Sequence, residues 1–122
     1  MIFAIALLAL GPSDPGIDAE GWARKAKPIT SCREAIECDA KWARGQEWIK
    51  HNSRFQIAVE KPALFSTFGA MYPSLDLAFV MTRSIDGQGK TTFSARAWCG
   101  NVFVCEPKPR DALAALARAM DG

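Results

Sequence analysis

Leu75-Asp-Leu-Ala-Phe-Val-Met-Thr82, then Asp86-Gly-Gln-Gly89, then Thr91-Thr-Phe-Ser-Ala-Arg-Ala-Trp-Cys99 together spell a β-hairpin. In the first run Leu75, Leu77, Phe79 and Met81 alternate with Asp76, Ala78, Val80 and Thr82. In the last, Phe93, Ala95, Ala97 and Cys99 alternate with Thr92, Ser94, Arg96 and Trp98. Successive side chains of a strand point to opposite faces, so a period of two predicts paired strands with one buried face. The glycines between them supply a flexible turn.

Upstream, Tyr72-Pro73 breaks the chain, and residues 64–69 read as a second, short strand. Lys61-Pro62 marks a turn, because proline presets φ and cannot donate to a ladder. Before it, Phe55, Ile57 and Val59 alternate over residues 55–60, a half-buried strand. Residues 31–51 read as one helix. Ala35, Cys38, Trp42, Gly45 and Ile49 recur at intervals of three and four, and Ser31 with Glu34 resembles a capping box. Arg33, Glu37, Lys41, Arg44, Glu47 and Lys50 fall off that stripe, and Glu37 with Lys41 makes a favourable i,i+4 pair.

Downstream of the hairpin, residues 102–104 extend or follow its second strand. After Pro107 and Pro109, Leu113, Leu116, Ala117 and Met120 mark a short amphipathic helix, with Asp111 near its positive end. The expected class is therefore α+β. One long helix precedes a three- to four-stranded antiparallel meander and a short C-terminal helix, packed as a two-layer sandwich.

The chain of 122 residues is the size of one domain. Its 49% apolar and 23% charged residues exclude a disordered tail and a polytopic membrane protein. A net charge of only +2 argues against a nucleic-acid binder, which concentrates basic residues on one face.

The N-terminus points to export. Residues 2–10 are uninterrupted apolar before Gly11-Pro12. The run is too short for a membrane span, which needs roughly 20 apolar residues, but it fits the apolar core of a secretory signal. Ala9 and Gly11 occupy the small-residue positions of a cleavage site, although no Lys or Arg precedes the run. Residues 1–11 are expected to be a signal, 12–27 a flexible leader in which Trp22 is the one large apolar anchor, and 28–122 the folded domain. A secreted or periplasmic location follows, with no stable membrane insertion once the signal is removed.

Four cysteines agree with export. Cys32 and Cys38 are separated by five residues, as are Cys99 and Cys105. An even number of cysteines in a small exported chain reads as disulfides, and structural zinc ligands favour tighter spacing. No metal or cofactor is therefore expected. Positions six apart on a continuous helix face different sides, so pairing Cys32 with Cys38 requires the helix to start after Cys32 or to be irregular there. Strand parity bears on the pairing. Four strands after the helix leave Cys99 far from Cys32 and Cys38 and favour local bridges, whereas three bring Cys99 beside the helix start and favour cross-pairing.

Little in the sequence suits catalysis. Gly87-Gln-Gly-Lys-Thr91 resembles the end of a phosphate loop, but Ser84 stands where its first glycine belongs and a strand follows where a helix is needed. His51, the one histidine, reads as a helix-end cap. The more informative feature is the hairpin's other face, where Trp98, Arg96, Ser94 and Thr92 lie beside Val80 and Thr82. A large aromatic next to an arginine has the make-up of an interaction hot spot, unless the leader or closing helix covers it. The expected function is binding of a protein partner in the cell envelope, of inhibitor, immunity or accessory type. The alternatives are a small secreted hydrolase with a dispersed site and a ligand-binding domain using the groove between helix and sheet.

Overall fold

The computed structural model describes residues 17–122. The expected signal and the first part of the leader lie outside the described residues. In chain order the elements are α1 (Ala19–Ala23), β1 (Lys27–Cys32), α2 (Ala35–Asn52), β2 (Ile57–Lys61), β3 (Leu64–Thr67), β4 (Ala78–Ile85), β5 (Thr91–Trp98) and α3 (Pro109–Asp121). The strands form one five-stranded sheet, order β1-β5-β4-β3-β2, with every neighbouring pair antiparallel.

The hairpin forms the centre of the sheet as its alternation predicts. Phe79 faces Ala97, Met81 faces Ala95 and Arg83 faces Phe93 on the inner side, while Ala78 faces Trp98, Val80 faces Arg96 and Thr82 faces Ser94 on the outer. The inner face packs against α2 and α3. Trp42 stacks on Phe93 at 6.2 Å, Trp48 meets Phe79 edge-on at 5.5 Å, and Ile49, Leu116 and Met120 complete the core. Burial of such side chains contributes about 1.5–3 kcal/mol each. Where the β3–β4 ladder stops at Ser66, the Phe79 N–H instead donates to Thr67 Oγ1 at 3.1 Å, so this buried donor is satisfied.

The fold class is α+β as expected, but the strand count and the entry to the long helix differ. Residues 27–32 form β1, which adds to the outer edge of β5 with a bulge between Pro28 and Thr30. Ser31 therefore lies in a strand rather than in a capping box. Glu34 occupies the helix N-cap and makes no side-chain capping bond. Starting α2 at Ala35 leaves Cys32 outside the helix, where it reaches Cys38.

The helix stripe is also corrected in part. Cys38, Trp42, Gly45 and Ile49 are buried, but Ala35 is exposed and Lys41 is buried. The expected Glu37–Lys41 pair gives way to a contact between Lys41 and Asp121, because α3 returns across α2 at that level. Residues 102–104 form a loop rather than a strand, and Leu75 is half exposed ahead of β4.

Candidate functional site

The sheet has two ends, separated along β4 by about 24 Å at the rise of a strand, and exposed apolar residues gather at both. At one end α2 begins, β2 turns into β3, and β4 turns into β5. There a groove of about 380 Å³ opens between helix and sheet, lined by Cys38, Pro62, Ala63 and Ile85 together with Arg33 and Arg83. Ile85 is 70% exposed, and Ile36, next to the lining residue Ala35 in the first turn of α2, is 86% exposed.

Arg83 is fixed in this lining from three directions. Its Nε–H donates to the Pro62 carbonyl at 2.7 Å, one terminal N–H donates to Asp39 at 3.0 Å, and its guanidinium carbon lies 4.6 Å from the centre of the Trp42 ring. Such a guanidinium is held beside the apolar lining without burying an unpaired charge. Arg33, which also lines the groove, makes no ion pair among the described residues. Beyond it, the β4–β5 turn is closed by Asp86, whose carboxylate accepts the N–H groups of Gln88 at 2.8 Å and Lys90 at 3.0 Å. The Lys90 N–H first and the Gln88 N–H second hold this carboxyl below its ordinary pKa. Gly89, at φ +83°, supplies the left-handed residue the turn requires.

The opposite end is built from two loops. The Gly100 N–H donates to the Ser74 carbonyl at 3.0 Å and the Glu106 N–H to the Leu75 carbonyl at 3.1 Å, so residues 71–75 and the loop closed by Cys99–Cys105 lie side by side. Met71, Tyr72, Val102 and Phe103 project from them, Phe103 with 92% of its surface exposed.

No family model, curated protein or solved structure matches this chain. The residues alone therefore carry the functional reading.

The six residues of the outer sheet face are brought together but are not an open surface. α1 lies on this face, and Trp22 packs against Trp98 with ring centroids 4.9 Å apart. Arg96 caps the same indole, its guanidinium carbon 4.5 Å from the ring centre. Val80, expected to be exposed, is fully buried because α1 packs over β4. Trp98, Arg96, Ser94, Thr92 and Thr82 are half-buried. Trp22, noted in the sequence as an anchor, thus sits at the centre of the cover.

His51 projects from the last turn of α2 with its side chain 76% exposed. Its Nδ1 lies 2.8 Å from the Glu47 carbonyl oxygen, so the tautomer making this bond carries the proton on Nδ1. The carboxylate closest to it within ion-pair range among the described residues is that of Glu47, at 3.9 Å. The four cysteines form local bridges, Cys32–Cys38 and Cys99–Cys105. That pairing accompanies four strands after α2, with Cys99 and Cys32 at opposite ends of β5.

Sequence reasoning passed over Phe103 and Ile85. The available signal for Phe103 was three consecutive apolar residues among the five between two cysteines, a loop too short to fold back into the core.

Proposed function

We propose that the chain is an exported, disulfide-stabilised binding module that acts through contact with a protein partner in the cell envelope. The observation that carries this reading is the groove between the start of α2 and the sheet, with Ile85 exposed in its lining and Ile36 exposed on the helix next to the lining residue Ala35. Scattered exposed aliphatics are ordinary, but exposed aliphatics bordering an apolar concavity mark an interaction site. The fixed guanidinium of Arg83 and the free one of Arg33 give the groove polar points that orient a partner. Arginine beside desolvated apolar surface is also a frequent interface anchor.

Capture from native envelope extract tests this reading. Ile85→Asp and Ile36→Asp place a charge on the contact and should abolish recovery of the partner. Equal recovery by both variants would sink the groove as the contact. Trp98→Ala and Arg96→Ala test the outer face in the same assay, and unchanged recovery removes that face from the interface.

The groove also supports a second reading, the binding of a small ligand. Its volume of about 380 Å³ lies within the range of small-molecule sites. Arg83 contacts both the groove and Trp42, so a ligand displacing this guanidinium would change the indole emission.

A further inference from the structure

The apolar tip at the other end of the sheet has three properties that belong together. The first is rigidity. The loop is closed by Cys99–Cys105, and Asn101 Oδ1 accepts the N–H groups of Phe103 at 2.8 Å and Val104 at 3.0 Å. The second follows from those bonds. The N–H groups of Phe103 and Val104 are thereby satisfied inside the loop and can leave water without being stranded.

The third property is charge. Lys108 and Arg110 line a cleft of about 530 Å³ against the Phe103 loop. Arg24, Lys25 and Lys27 reach the same end, because Trp22 packs on Trp98, the residue before Cys99, and Lys27 lies opposite Ala95. None of these five cations is in an ion pair among the described residues. The same two segments carry three carboxylates outside ion pairs among the described residues, Asp18 at the cap of α1 and Glu106 and Asp111 flanking Lys108 and Arg110. Five cations against three carboxylates leave +2 on these segments, as much as the net charge of the whole chain.

We propose that this end docks peripherally on an anionic phospholipid surface. Phe103, Val102, Met71 and Tyr72 enter the interfacial layer, and the ring of Lys and Arg stays level with the headgroup phosphates. The apolar tip and the basic ring supply the two signals that reversible membrane attachment needs. Phe103 is almost wholly exposed, and a lipid surface receives a projecting apolar side chain without a matching concavity. Tyr72, apolar in body and polar at its hydroxyl, suits the interface. No helix among the described residues is long and apolar enough to cross a membrane, so the attachment is superficial.

Co-sedimentation of the whole chain, as purified from its host, with phosphatidylglycerol-containing vesicles tests this, with phosphatidylcholine vesicles as the neutral comparison. We expect binding to the anionic vesicles that weakens as salt rises. Phe103→Asp should weaken it at least tenfold while leaving the thermal midpoint unchanged, since this side chain packs on nothing. Lys108→Glu combined with Arg110→Glu should have a similar effect. Absence of binding to anionic vesicles at low salt overturns the proposal, as does equal binding by Phe103→Asp. Capture of a protein that depends on Phe103, without vesicle binding, would assign this end to a protein partner instead. The groove variants Ile36→Asp and Ile85→Asp should bind vesicles like the unaltered chain, so the two surfaces are judged separately.

Discussion

Lys41 Nζ lies 2.9 Å from Asp121 Oδ1, joining the middle of α2 to the last residue of α3 across 80 positions of sequence. The Thr30 hydroxyl donates to the same oxygen at 2.6 Å, and Lys41 also donates to the Ser31 carbonyl at 2.9 Å. One node therefore ties β1, α2 and α3. Arg44 reinforces it by donating from Nε to the Met120 carbonyl at 2.9 Å. The Thr30 hydroxyl first and Lys41 second hold the Asp121 carboxyl below its ordinary pKa.

The node gives a pH dependence with a definite sign. A carboxyl held low in the folded chain contributes its stability in full above the ordinary carboxylate range and loses it as pH falls through the folded value. The Asp121 side chain is 55% exposed, so solvent screening limits the effect. Asp121→Asn should cost about 1 kcal/mol at neutral pH. Denaturant titrations repeated at decreasing pH should show this difference shrinking toward zero in acid. A difference that persists there would dissociate the node from the Asp121 charge.

Trp22→Ala should release α1 from the sheet. The lost aromatic contact is worth about 0.5–1.5 kcal/mol beyond area burial. Limited trypsin digestion should cut after Arg24 and Lys25 faster, and Trp98 should become more accessible to a fluorescence quencher. Unchanged cleavage would show that other contacts hold α1.

Gly100 and Gly87 form a paired test. A Cβ on Gly100 would lie 2.1 Å from the Met71 carbonyl oxygen, a backbone atom that cannot move aside cheaply. Gly100→Ala should therefore separate the two loops of the apolar end and cost about 2 kcal/mol or more. A Cβ on Gly87 meets nothing within 4 Å. Gly87→Ala should stay within about 0.5 kcal/mol of the unaltered chain. Thermal melts of the two variants compare them directly.

Both bridges close short loops, with cysteines 6 positions apart. Chain-entropy arguments give about 2 kcal/mol for each loop. Replacing Cys32 and Cys38 together by alanine, or Cys99 and Cys105 together, should lower the melting temperature by several degrees. Thiol counting under denaturing conditions should find none reactive before reduction and four after it.

Export predicts a processed N-terminus. Intact-mass measurement on protein from its native host should show a chain lacking residues 1–11. Retention of residues 2–10 would refute cleavage.

The central hairpin and the closing helix were legible because their signals are local. The alternation of Leu77, Phe79 and Met81 against Phe93, Ala95 and Ala97 is complete within each strand, and Leu116 with Met120 lies one helical turn apart. Lys41 was misplaced for the opposite reason. A helical stripe counts lysine as polar, and nothing near it announces that Asp121 will arrive to pair its ammonium. Ser31 and Glu34 matched a helix start, but pairing with β5 drew residues 27–32 into the sheet, a choice made by a strand about 60 positions downstream.

The same division runs through the candidate site. The residues of the Trp98 face share one side of the hairpin through strand period alone, so their grouping was readable without coordinates. Their exposure was not, since it depends on where α1 lies. The groove joins residues of the first α2 turns to the β2–β3 turn and the ends of β4 and β5, and the apolar end joins residues 71–75 to the Cys99–Cys105 loop. Periodicity, turn chemistry and cysteine spacing act over roughly ten residues and can be read along the chain. Burial, and the meeting of distant loops, come into being only when the layers pack, because each depends on a surface supplied by another element.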